Sequence, residues 1–566
     1  MNSIQNYAVL VGLQANLYKC FIPQAWAYCN HTGVFSFIHP ESIYTDPSGG
    51  ELRKVLYKKL RKHYQFQNEK KLFEIGNRER FSINIYSNKH TDSFETIANL
   101  IDVTTVDNCY ENPIRGKIPG IKDENDNWSI EGHIERVVHV SNHELKVFAK
   151  LFDDTDQYGS ARLPAIHAQS LVEVLRQFAD ASCNIADYGD SVFVTRLWGE
   201  SSAQEDGTIE SNEHFPEGAI EFIYSGPHIG VANPIYQTAK RVCNTHRAYE
   251  SVDLTFCDEK YLPRTKYSPC CSVDDYRSRV PATPWGEKYI DCYRVVSRKR
   301  LNLSGERTLI SCISPPNSAH IDTVIGIASD VDTITYLAGI MASLPYDFYV
   351  KIVGASDINY SLLSTFPIID DKFTNAIKRR ALLLNALNRE FVVLWERVSP
   401  KLSGSDSYAI EDNRLNNDCF SSFSRKWSVK SAVRDDFSRR QLLVELDVLA
   451  AMALGMTLEQ LVSIYRIQFP VLQSYESDTW YDANGRIIFT NNRSFTNVGF
   501  SRFEWEKGIK DAPSGQKFYR KITDDTIPGG PVERIIEYVA PFDCRDREKD
   551  YEIVWKCFEK RYKNAD

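Results

Sequence analysis

Between residues 16 and 86 the apolar spacing switches repeatedly between the helical and the strand period, and each switch falls at a turn signal. Leu17, Phe21, Ala25 and Tyr28 recur at helical spacing, and Asn30-His-Thr-Gly33 stops that helix. VFSFI (34–38) is short and apolar enough to be a buried strand, and Asp46-Pro-Ser-Gly-Gly50 is a turn. Leu52 to His63 reads as a second helix, with Leu52, Val55, Leu56 and Leu60 on one face. Arg53, Lys54, Lys58, Lys59, Arg61 and Lys62 fall on the other. YQFQ (64–67) and FSINIY (81–86) read as strands. The order α-β-α-β-β is a piece of an α/β sheet rather than a whole fold.

Beyond this run, residues 91–135 are polar and rich in Asp and Asn, as a connector would be. Residues 136–370 mix short strands with Gly/Pro punctuation, a helix at 170–178 and an apolar helix at 335–350. Helical patterns follow at 372–398 and 436–466, the latter with a stop at Gly455 and an N-cap start at Thr457. The tail is aromatic and charged, with turns at Asn484-Gly485 and Pro528-Gly-Gly530. A length of 566 residues suits roughly three or four domains, expected at 1–90, 91–150, 151–370 and 371–566. A 43% hydrophobic composition excludes a disordered chain. No apolar run is long enough to span a membrane, and the N-terminus lacks the basic start of a signal peptide, so the expected location is cytoplasmic. Thirteen cysteines without a Cys-x-x-Cys pair fit reduced thiols there. A net charge of -8 argues against indiscriminate polyanion binding, but phosphate contact depends on local patches such as Arg53–Lys62, Arg294–Arg307 and Lys378–Arg380. Any such patch can equally be a solvated face.

The run that opens with Asn16-Leu17-Tyr18 and continues through Phe37-Ile38-His39-Pro40, Leu72-Phe73 and Phe81–Tyr86 resembles the second half of the catalytic domain of the γ-arranged, TaqI-like adenine-N6 DNA methyltransferases. That group includes the type IIG restriction–modification and phage-defence methylases. The resemblance implies a partial Rossmann-like methyltransferase sheet of α/β class, then a mixed α+β target-recognition domain, then a largely helical C-terminal region. It implies that Phe73, matching the family's Leu-Phe, lies against the flipped-out adenine, with Phe81 as second choice. An extruded base needs such a ring to replace lost stacking. The family's S-adenosylmethionine loop and Asn-Pro-Pro-aromatic loop would precede Asn16, where there is no room for them. The expectation is therefore a chain that binds double-stranded DNA and the target base, with S-adenosylmethionine bound mainly by a partner chain. Strand 34–38 would then carry an open apolar edge, which is a pairing site. A non-catalytic sequence-specific DNA-binding protein and an inactive truncated remnant are the alternatives.

Arg294-Val-Val-Ser-Arg298, Glu306-Arg307-Thr308-Leu and Leu363-Ser-Thr-Phe366-Pro367 resemble the recognition region of these methylases. Because Arg is suited to bidentate contact with guanine or phosphate, Arg294, Arg298, Lys299 and Arg307 are the expected DNA contacts, together with Lys58 and Lys59. Arg307 paired to a carboxylate is the competing reading. Arg264 and Lys266, beside Tyr261 and Tyr267, form a weaker second patch. The segment from about 440 onward resembles the C-terminal extension of the larger methylases, with no chemistry attached. Ala232-Asn233-Pro234-Ile235-Tyr236 imitates the catalytic loop but has Ile at the second Pro. Ser314-Pro315-Pro316-Asn317 reads as a turn. Glu144-Leu-Lys146 with Asp126 imitates a Mg-dependent nuclease, and His133, His139 and His143 are too scattered for a metal site; no metal is expected.

Overall fold

The computed structural model describes residues 7–563 apart from 14–15, 78, 112, 124–126, 154, 304, 403–404, 417, 422, 424–425, 493–494 and 496–497. It divides into two compact units. One comprises Met1–Ala181 with Lys351–Gly354 and Val462–Pro470, the other Ser182–Val350, Ala355–Leu461 and Val471–Asp566.

In the first unit, Asn16 caps α1 (Leu17–Tyr28) by accepting from Tyr18 N. Then come β1 (Val34–Pro40), α2 (Gly50–Leu56), β2 (Leu60–Gln67), β3 (Arg80–Ser87), β4 (Ser93–Leu100) and β5 (Val138–Ser141), in the sheet order β1-β3-β2-β4-β5. β3 is antiparallel to both β1 and β2, β4 is parallel to β2, and β5 is antiparallel to β4. Two expectations change here. The helix expected to reach His63 ends at Leu56, because Leu60–His63 pair with β3 and β4 instead. The stretch expected to be a connector supplies the fourth strand.

Both differences have one cause: this sheet buries a polar face. His39, His63, Gln65, Ser82, Asn84, Tyr86 and Thr96 are all buried. His63 bonds Thr96 Oγ1 through Nδ1 at 2.8 Å and Glu41 Oε1 through Nε2 at 3.1 Å. Tyr44 donates to Asn84 Oδ1 at 2.5 Å, and His39 Nε2 meets Tyr86 OH at 3.1 Å. These partners make burial tolerable. The opposite face is apolar and packs Tyr64, Phe66, Phe81, Ile97, Leu100, Cys109 and Val137. Among the described residues β1 has β3 as its strand neighbour. Val34 and Ile38 beside its outer edge, and Leu17, Phe21 and Tyr28 of α1, are exposed.

The second unit holds a four-stranded antiparallel sheet. Its strands are β6 (Phe193–Thr195), then, after the hairpin β7 (Gln237–Ala239) and β8 (Tyr249–Ser251), β9 (Arg294–Arg298), β10 (Ser311–Ser314) and β11 (Val324–Ala328), in the order β10-β9-β11-β6. Against β9 and β10 lies α3 (Val331–Ile340), and against α3 lies α4 (Thr374–Asn385). A Cβ at Gly339 would stand 2.5 Å from Ile377 Cγ2, so this close crossing requires glycine. α5 (Asp436–Ala453) follows. The tail forms the ribbon β12 (Lys517–Asp524) and β13 (Val532–Val539) and the helix α6 (Arg547–Tyr562). The C-terminal region is largely helical, as expected, with this ribbon and short strands in its tail. It is tied to the β7–β8 hairpin region and α5 by ion pairs: Arg534–Asp253 at 3.2 Å, Arg241–Asp525 at 2.8 Å and Arg547–Asp447 at 2.6 Å. The expected turn at Asn484-Gly485 is present, with Gly485 at φ +80° and the buried Asp482 carboxylate accepting from the backbone of Asn484, Arg486 and Val539. No helix among the described residues is long and apolar enough to cross a membrane.

Candidate nucleic-acid interface

The loop between β2 and β3 is shaped by one side chain. Asn68 is fully buried; its Nδ2 donates to Phe73 O at 2.9 Å and Ile75 O at 3.0 Å, while its Oδ1 accepts from Phe73 N at 3.1 Å. Lys71 takes the left-handed conformation at φ +52° to close the turn. Lys70 pairs with Asp102 at 2.5 Å. That ammonium, aided by Thr104, holds the Asp102 carboxyl down to about 2. So held, the loop turns Leu72, Phe73 and Ile75 outward, with Phe73 42% exposed. The Phe73 ring stands perpendicular to Phe81 with centroids 4.9 Å apart, and Phe81 stacks on Phe66 at 5.4 Å. Phe81, 5% exposed, is therefore a support within the core, and Phe73 is the ring that meets solvent. Leu72, Phe73 and Ile75 thus form an exposed apolar tip, and an exposed aromatic ring can accept a stacked base.

Lys58 and Lys59 lie at the other end of the same strands. Phe66 pairs with Phe81 at one end of β2, and Leu60 pairs with Tyr86 at the other, a separation of about 20 Å along the strand. The lysines line, with Lys54, Asn88 and His90, a cavity of about 530 Å³. Lys59 donates to Asn88 Oδ1 and Lys54 pairs with Glu51 at 2.6 Å. Arg53, expected on the same basic face, is buried and donates to Ile43 O, Asp46 O and Ser160 O. The basic run is thus dispersed by the helix-to-strand change rather than gathered on one face.

The arginines expected to touch DNA lie indoors. Arg294 on β9 has no exposed surface and donates to Ser318 O at 2.8 Å, Ser314 Oγ at 3.0 Å and Pro315 O. Arg298 donates through Nε to Ile229 O at 2.9 Å. Burial lowers the pKa of both guanidinium groups. Arg307 pairs with Asp347 at 2.7 Å and donates to Ala342 O at 2.7 Å, and Asp347 also accepts from the backbone of Thr308 and Leu309. These side chains hold the second unit together, and a role at DNA would require unburying them. Lys299 is half-buried at the end of β9, beside Arg300, which is exposed and paired with Asp357 at 3.3 Å. Arg264 is buried as well, against Ala239 O and Asp525, while Lys266 pairs with Glu200 at 3.6 Å.

The imitations resolve into structure. Asn233 Oδ1 accepts from Ile235 N to close a turn. Asn317 closes the Pro-Pro turn at φ +66°. Glu144 forms a capping box with Ser141, and Asp126 lies outside the described residues. Among the described residues no group of His, Cys, Asp and Glu could hold a metal ion. All thirteen cysteines are free. Sequence reasoning missed two features: the Asn68 clamp, and the exposed polar tip at 244–247 of the hairpin whose root Arg264 supports. The paired basic dipeptides Lys240-Arg241 and His246-Arg247 were the available signal for the tip.

No protein-family profile matches the chain, and no curated protein matches it. Solved structures overlap it along most of its length at low identity. The type IIL restriction-modification enzyme MmeI in complex with DNA has 12% identity and a TM-score of 0.33, covering 83% of this chain and 54% of that one. The type IIG restriction endonuclease BpuSI has 8% identity and a TM-score of 0.25, covering 81% and 51%. The ATP-dependent type ISP restriction-modification enzyme LlaBIII bound to DNA has 10% identity and a TM-score of 0.26, covering 82% and 35%. The chain thus spans about half, or less, of the structures it resembles.

Proposed function

We propose that this chain is the DNA-holding half of a site-specific adenine-N6 DNA methyltransferase of a restriction–modification or phage-defence system. The observation that carries the reading is Phe73: an exposed ring on an Asn68-clamped loop, backed by the Phe81–Phe66 stack, at the sheet end where the methylase resemblance puts the target base. This chain's share of the work is to hold duplex DNA and to receive the extruded base in a fixed orientation, which is where proximity and alignment contribute to rate.

S-adenosylmethionine would supply the methyl group, and two places in the first unit are poorly suited to it. The β2–β3 loop that the resemblance puts nearest the reacting base is filled by its own rings and the Asn68 clamp. The cavity of about 530 Å³ is lined by Lys54, Lys58 and Lys59 against the single carboxylate of Glu51, a net positive setting for a cationic sulfonium, and stands at the opposite end of the sheet. In this reading the cofactor belongs to a partner chain. The open edge of β1, with Val34 and Ile38 beside it, and the exposed Leu17, Phe21 and Tyr28 are the surface offered to that partner. Calorimetry with S-adenosylmethionine tests this. No heat with the chain alone, and binding once the partner is added, is the expected result; binding by the chain alone overturns it.

The poor fit to the cofactor also favours the second reading, a DNA-binding specificity protein with no chemistry. The two separate on Phe73→Ala, which affects methylation in the first reading and nothing enzymatic in the second.

A further inference from the structure

Resting on the reading of a DNA-binding chain, we propose that the tip of the β7–β8 hairpin, Asn244 to Arg247, enters a groove of duplex DNA, with Asn244 and Arg247 contacting base edges. The loop is braced from within. Lys240 N donates to Ala248 O and Ala248 N to Thr245 O, each at 3.0 Å. Cys243 turns inward at 1% exposure and packs with Ala239 and Tyr249, while its N–H points at Glu213 Oε1, 3.4 Å away. The Tyr249 ring stands edge-on to His228 at 5.1 Å.

The root of the hairpin is fixed too. Arg264 donates to Ala239 O at 2.9 Å and to Asp525 O at 3.0 Å. Arg241 grips the Asp525 carboxylate through Nε at 3.0 Å and Nη2 at 2.8 Å, and Lys240 pairs with Glu250 at 3.3 Å. The cations at the root are therefore neutralised in place. What the hairpin leaves outside is Asn244, Thr245, His246 and Arg247, all exposed.

This set suits nucleic acid. The planar ends of Arg and Asn match the edges of guanine and adenine, and a two-stranded hairpin is narrow enough for the major groove. From Lys240 to Tyr249 the sequence contains no acidic residue, so the tip adds no repulsion toward phosphate. A protein-binding surface would centre on large apolar groups, and the exposed apolar side chain here is Val242 alone of the loop's 240–247. With Arg294, Arg298 and Arg307 occupied by partners within the unit, the tip is a braced, polar, outward-facing element with the side chains to read sequence.

The test uses the full chain and an Asn244→Ala/Arg247→Ala variant, both first checked for equal melting temperature. Each selects from a duplex library with a randomised core, and affinity for the wild-type motif is then measured at two salt concentrations. The expected result is a motif for the wild type, with the variant losing preference at one or two base pairs and binding roughly ten- to a hundred-fold more weakly. A variant that selects the same motif overturns the proposal, whether its affinity is unchanged or uniformly weaker, because uniform weakening is the signature of phosphate contact. If the wild type neither selects a motif nor binds duplex, the DNA reading of the whole chain fails, and the tip proposal with it.

Discussion

The β2–β3 loop and the β9 arginines invert each other. In the first, an aromatic residue of the kind that fills cores is held at the surface: Phe73 is 42% exposed on a loop whose backbone groups are satisfied by the buried Asn68. In the second, arginines of the kind that coat surfaces are held in the core: Arg294 has no exposed surface and Arg307 is locked to Asp347. The lesson is that residue type states what a side chain can do, while the partners within reach decide whether it faces a ligand. Arg294 has the Pro315–Ser318 turn to satisfy it. Phe73 has one perpendicular ring beside it and leaves 42% of its surface to solvent or to something from outside.

The largest expected effect comes from the buried cations of the second unit. Arg380 is fully buried, pairing with Glu445 at 2.7 Å and Asp406 at 2.9 Å. Arg380→Ala strips the buried Glu445 of its counter-charge and leaves Asp406 to Arg561 and Arg379, and should cost about 3–5 kcal/mol by urea unfolding. A loss under about 1 kcal/mol would show that the consecutive Lys378-Arg379-Arg380 run is a surface patch after all. Next is Asp436, half-buried at the start of α5, where desolvation, with Asp253 and Asp435 adding repulsion, raises the carboxyl to about 7 against the neighbouring Arg486. A folded pKa above the unfolded one makes the native state bind the extra proton. Stability from this group is therefore complete below about pH 4, falls as pH rises to about 7, and is flat beyond. Asp436→Asn keeps an acceptor for Ile487 N and removes the charge, so it should gain on the wild type steadily between pH 4 and 7, by up to about 1.4 kcal/mol per pH unit. Equal pH profiles for the two proteins would remove the assignment.

How much of this was legible in the sequence depends on which faces are buried with polar groups. α1, β1 and β3 follow from Leu17, Phe21, Tyr28, VFSFI and FSINIY, because their apolar spacing is clean. The start of β2 and all of β4 do not. His63, Gln65 and Thr96 occupy the sheet's polar inner face, so a reading that equates polar with solvent sees a helix end and a loop. The arginine partners are invisible for another reason: Asp347 lies forty residues from Arg307 in the chain, and spacing carries no information about such a meeting. Phe73 was reachable only through the methylase resemblance, since by periodicity alone Leu72-Phe73 is a short apolar pair. The Asn68 clamp that makes it available is a turn geometry with no periodic signature.

Arg294→Ala sharpens the contrast from the interior side. It strands the buried carbonyl of Ser318 and leaves Pro315 O to the Ser318 hydroxyl, and should cost about 1–3 kcal/mol. If the protein keeps its melting temperature and loses DNA site preference instead, Arg294 is not scaffold and the comparison collapses.

Phe73→Ala should have the smallest effect on the fold and the clearest one on function. A ring already nearly half in water, with one edge-to-face neighbour, gives up about 0.5–1.5 kcal/mol when truncated, and Asn68 continues to shape the loop because its bonds run to backbone atoms. Duplex binding should be nearly unchanged, since stacking is needed after the base has left the helix rather than to hold the helix itself. Methylation by the chain reconstituted with its partner should fall, because the extruded adenine loses the surface that replaces its stacking. Unchanged methylation would mean that the exposed ring serves another ligand. A large loss of stability would mean that Phe73 belongs to the core with Phe81 and Phe66. Only the combination of an intact fold, intact duplex binding and lost transfer identifies a side chain whose exposure is explained by the base it receives.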